Sequence, residues 1–82
     1  MQANDIIKMM DDFCADSSVP KNVRLAVEEA RKRMRDNSFE LTLRISDAIY
    51  KIEKVTEDPN LMPHARMGLW NILSALESTK KK

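Results

Sequence analysis

Cys14 and His64 are the only cysteine and histidine of this 82-residue chain, and they are its residues best suited to nucleophilic or metal chemistry. A zinc set takes about four ligands, so one of each is too few. A Cys–His pair needs an accessible thiol. Cys14 instead shares a helical stripe with Ile6, Met10 and Phe13, where an inert core thiol is expected. His64 follows Pro63 in a first helical turn and is expected to be exposed. The carboxylates Asp11-Asp12 and Glu28-Glu29 are sequence neighbours, which point in different directions on a helix and form no acid–base dyad. A phosphate-cradling loop needs several glycines, and the chain has one. The expectation is a non-enzymatic protein with no catalytic residue, metal or cofactor.

Binding has better material. Arg31, Lys32, Arg33 and Arg35 form the only dense basic run, and with Arg24, Arg44 and the lysine tail they are candidates for phosphate contact. Against this, positive charge is favoured at a helix C-terminus, and Glu28–Lys32 and Glu29–Arg33 have the i, i+4 spacing that neutralises a solvated face. Asp16 and Asp58 precede Arg24 and Arg66 by the same interval, which suits an arginine donating to a turn carboxylate or to free helix carbonyls. Trp70, Met67 and Tyr50 are candidates for a protein interface, because large amphipathic side chains dominate such contacts. Trp70 is equally suited to capping a small core.

Helices must position all of these. Ile6, Met10, Phe13 and Cys14 recur at helical spacing and predict a helix over residues 4–15. Asp16-Ser17-Ser18 breaks it, and Pro20 opens a second helix that runs to Arg35 on the stripe Val23, Ala26, Val27, Ala30, Met34. Asp36-Asn37-Ser38 is the next turn, with Asn37 and Glu40 spaced as a capping box. The third helix buries Leu41, Ile45, Ala48, Ile49, Ile52 and Val55; Glu57-Asp58-Pro59-Asn60 ends it. Pro63 starts a fourth on Met62, Ala65, Leu69, Ile72, Leu73 and Leu76, and residues 78–82 are expected to fray.

The two halves match at a shift of 42 residues: Ile7 falls on Ile49, Met10 on Ile52, Asp16 on Asp58, Val19 on Leu61, Arg24 on Arg66 and Ala26 on Gly68. The reading is a single all-α domain, residues 1–82, built as two antiparallel helical hairpins related by an internal repeat. They form either a HEAT-like pair or a four-helix bundle. Small residues at Ala26 and Gly68 predict close helix approach. A hairpin cannot bury its apolar face alone, so self-association into a homo-oligomer is an expectation, beside an unidentified protein partner.

Composition agrees. Net charge is +1, so any attraction to nucleic acid must be local. Apolar runs are too short to span a bilayer, no secretory signal is evident, and one cysteine suits a reducing compartment; a cytoplasmic protein without membrane contact is expected.

The segments from Asp16 to Arg24 and from Asp58 to Arg66, with Trp70-Asn71-Ile72 after the second, resemble a small archaeal protein family, the uncharacterised one numbered 0147 in the UPF series. The resemblance covers nearly the whole chain. It implies a small archaeal cytoplasmic helical protein and supplies no activity or site residue.

Overall fold

The computed structural model describes residues 2–80. Four helices follow one another, α1 (Ala3–Cys14), α2 (Lys21–Met34), α3 (Leu41–Thr56) and α4 (Pro63–Lys80), with no strand among the described residues. Each apolar stripe turns to a common core. Ile6, Met10 and Phe13 meet Val23, Val27, Ala30 and Met34, then Ile45, Ala48, Ile49 and Ile52, then Ala65, Leu69, Ile72, Ala75 and Leu76. Each large side chain fully buried this way contributes about 1.5–3 kcal/mol, which is what holds together a chain with so small an interior.

Each helix packs on its neighbours in sequence, and α1 closes on α4; the diagonal pairs α1–α3 and α2–α4 make no contact. A HEAT-like stack lays like helices of successive hairpins on one another, so α1 would have to touch α3. The contacts are those of the up-down-up-down four-helix bundle.

The three turns share one device. A leading aspartate accepts the backbone N–H two residues on: Asp16 from Ser18 (2.9 Å), Asp36 from Ser38 (3.0 Å), Asp58 from Asn60 (2.9 Å). Its carbonyl then accepts from the third residue, Val19, Phe39 or Leu61. This satisfies N–H groups of the turn that have no helical partner and reverses the chain without a positive φ angle. The expected half-repeat has two such turns 42 residues apart; the structure places a third, Asp36, between them.

Several local expectations are corrected. Asn37 and Glu40 form no capping box: Glu40 is itself the N-cap of α3 and makes no side-chain cap bond, because Asp36 already organises the turn. Pro20 is the N-cap of α2 and lies outside its first turn. Met62 is exposed and Leu61 is buried in its place, since the chain enters α4 only at Pro63. Leu41, at the open start of α3, is exposed. Ser78 to Lys80 remain helical, and Lys81 and Lys82 of the expected frayed tail lie outside the described residues. At Gly68 an added Cβ would stand 3.1 Å from the Phe13 ring, so the close approach expected there occurs, between α4 and α1.

Candidate functional site

The polar residues singled out by sequence are mostly spent on holding the bundle. Arg31 donates to Asp11 of α1 at 2.9 Å, and Arg35 reaches the same carboxylate at 3.2 Å. Arg33 turns the other way, to Asp47 of α3 at 2.8 Å, with its guanidinium 4.6 Å from the centre of the Phe39 ring. The expected pairs Glu28–Lys32 and Glu29–Arg33 do not form among the described residues; Arg33 takes a partly buried carboxylate on α3 instead. The basic run is therefore split across two sides of α2. Only Lys32 of the four stands without an ion pair among the described residues.

Asp16 and Arg24, and Asp58 and Arg66, do not form ion pairs either. Arg66 donates to the Asp58 backbone carbonyl at 3.4 Å, and Arg44, in the same place after the second turn, donates to the Met34 carbonyl at 2.8 Å. Arg44 thus caps the last carbonyl of α2 and Arg66 a carbonyl of the third turn. The signal for Arg44 was present in its distance from Asp36, equal to that between Asp16 and Arg24.

The aspartates instead tie two turns together. Ser18 Oγ lies 2.6 Å from Asp16 Oδ1 and 3.0 Å from His64 Nε2. The hydroxyl's single proton goes to the carboxylate, so Nε2 carries the proton shared with Ser18. Asp16 Oδ2 stands 3.6 Å from the same nitrogen. A catalytic serine triad needs its carboxylate on the opposite ring nitrogen, which orients the base; here both partners meet Nε2, and the trio is wired as a clamp between the first turn and α4. Asn22 makes the reciprocal link, donating to Asp58 at 2.8 Å. The Ser18 hydroxyl and amide hold the Asp16 carboxyl below its usual range, with a smaller contribution from His64. The Ser38 groups lower Asp36, and Asn22 and Asn60 lower Asp58. Cys14 packs against the core, with Sγ 4.0 Å from the Arg24 carbonyl, and burial raises its thiol pKa. Among the described residues no three histidines, cysteines or carboxylates converge as metal ligands.

The interface candidates are all exposed. Trp70 is 55% exposed, Tyr50 58% and Met67 62%. Tyr50 sits six residues before the end of α3 and Trp70 seven after the start of α4, so the antiparallel pair brings them level. Gly68 marks the flank of α4 that faces α1; Trp70, about 160° round from it, lies on the flank toward α3. Arg44 marks the flank of α3 toward α2, and Tyr50, about 120° round, lies toward α4. The Lys54 ammonium rests 4.5 Å from the centre of the Tyr50 ring. Leu43, 55% exposed and two turns before Tyr50, lines a shallow depression with Arg33, Phe39 and Asp47 at the edge of the α2/α3 seam.

With this geometry the chain compares directly with known proteins. The sequence pattern of the uncharacterised protein family UPF0147 matches residues 1–79. The chain belongs to that family. The UPF0147 protein of Sulfurisphaera tokodaii is 36% identical over 74 residues, covering 90% of this chain and 83% of its own length. UPF0147 protein PF0239 of Pyrococcus furiosus is 37% identical over 78 residues, covering 94% and 84%. The crystal structure of the unknown function protein MMP1188 has the same fold, with a TM-score of 0.88 and 33% identity over 93% of this chain and 86% of that one. These UPF0147 relatives are archaeal, and the family carries no assigned function. No described helix is long and apolar enough to cross a membrane.

Proposed function

We propose that this UPF0147 chain is a non-enzymatic protein–protein interaction module acting in the cytoplasm, with the outer face of α3 and α4 as its contact surface. One observation carries the reading. On the side that α3 and α4 share, Tyr50 and Trp70 stand level with each other and more than half exposed. Water-facing seams are ordinarily edged with polar groups, and a contiguous apolar patch on a small protein marks a binding surface. Tyr and Trp are the side chains that most often anchor such surfaces. The cytoplasmic setting is supported by the lone cysteine and the absence of any long apolar helix among the described residues.

The test places a photo-crosslinking side chain at position 70, and separately at exposed position 29 on α2, in cells of the source organism. The reading predicts protein adducts from position 70 and few from position 29. An absence of adducts at 70, with the variant folded and expressed, refutes it.

A further inference from the structure

We propose that the occupant of the α3/α4 face is a second copy of the chain, the two packed face to face about a twofold axis over Tyr50 and Trp70; this rests on the reading of that face as an interface. An isologous contact requires a patch that tolerates itself, since each residue group meets its own counterpart region. This one does. Its centre is aromatic, and the charged groups beside it that take no part in the α2/α3 contacts are Glu53 and Lys54 on α3 and Arg66 and Glu77 on α4, two of each sign. A surface with no net charge carries no field against its own copy, and it offers no concentrated charge to a polyanion or to an oppositely charged protein.

The size also fits. The described chain exposes 5248 Å² in a bundle of 33 × 20 × 19 Å. One of its four long sides is on the order of 1,000 Å² of that, above the roughly 800 Å² per partner of a standard stable interface. Trp70 and Tyr50 lie mid-way along the side. Central aromatic anchors are the usual heart of a protein contact. A bundle this small has one modest core, and covering the α3/α4 side adds a second apolar layer at no cost in chain length.

The chain reports on this itself, because Trp70 is its only tryptophan. Sedimentation equilibrium of the full chain, from about 1 μM to about 1 mM, should show the mass rising from 9.5 kDa to twice that value. Tryptophan emission should shift to the blue, and iodide quenching should fall, over the same range. Trp70→Ala and Tyr50→Ala should each move the midpoint to at least about tenfold higher concentration, and Leu25→Ala, an exposed leucine on α2, should leave it unchanged. Circular dichroism checks that each variant is folded, and Tyr50→Ala stands in should Trp70→Ala not be. A mass of 9.5 kDa throughout overturns the proposal. So does a dimer whose midpoint ignores both aromatic substitutions. A strict monomer that still forms adducts with other proteins from position 70 loses the second copy and keeps the interface, so the two readings fail separately.

Discussion

The α2/α3 and α3/α4 seams share a helix and close over the same core, yet they meet water differently. Across α2/α3, Arg33 binds Asp47, Lys51 joins the same carboxylate at 3.6 Å, and Arg44 reaches the Met34 carbonyl. On the side shared by α3 and α4, the exposed aromatics Tyr50 and Trp70 stand at its middle. A polar rim holds neighbouring helices in register and is content in solvent. An apolar rim gains little until something dry covers it. One side of α3 is thus finished as a surface of the monomer, and the other is not.

The comparison breaks most readily on two adjacent residues of α4. Leu69 is fully buried and Trp70 is not. Leu69→Ala should lower unfolding free energy by about 2–5 kcal/mol, whereas Trp70→Ala in the monomer should stay within about 0.5 kcal/mol, read from urea unfolding at low protein concentration. Equal losses would make Trp70 part of the core. Gly68→Val drives a branched side chain toward Phe13 and should cost about 1–3 kcal/mol by the same measurement, placing the tight packing of α4 on its α1 side. Arg33→Ala removes a half-screened ion pair and the stacking on Phe39. About 1 kcal/mol or less is expected, shrinking further in 1 M salt. Association through the α3/α4 face should not weaken with salt, which separates the two seams in one experiment.

The smallest effect concerns acid. Asp16, Asp36 and Asp58 have carboxyls lowered in the folded state by turn hydrogen bonds. Their contribution is therefore present above the unfolded aspartate value of about 3.9 and is lost as pH falls through the lower folded values. Urea midpoints measured from neutral pH downward should decline most below about pH 4, and Asp16→Asn should flatten that decline.

All four helices were legible because apolar residues recur at helical spacing, most plainly at Val23, Val27, Ala30 and Met34. The exposure of Trp70 was not. Residues 69, 70, 72, 73 and 76 are apolar round much of α4, so periodicity does not say which of them lies outside. The ionic partners were also hidden. Spacing reveals neighbours on one helix, and Arg31 and Arg33 choose carboxylates 20 and 14 residues away, brought close only by the antiparallel packing. The exchange of Met62 for Leu61 has a simpler cause. Pro63 is one step out of register with Pro20, and the aligned pair Val19 and Leu61 is buried in both turns.

The thrice-used aspartate turn has a kinetic side. Three of the four seams join helices separated only by such a turn, so most contacts form after short excursions of the chain, and bundles of this kind assemble in microseconds to milliseconds. The entropy of long-loop closure is concentrated in one event, the meeting of α1 with α4, which Ser18 and His64 bridge across 46 residues. The clamp thus sits at the step where the ring of helices is completed.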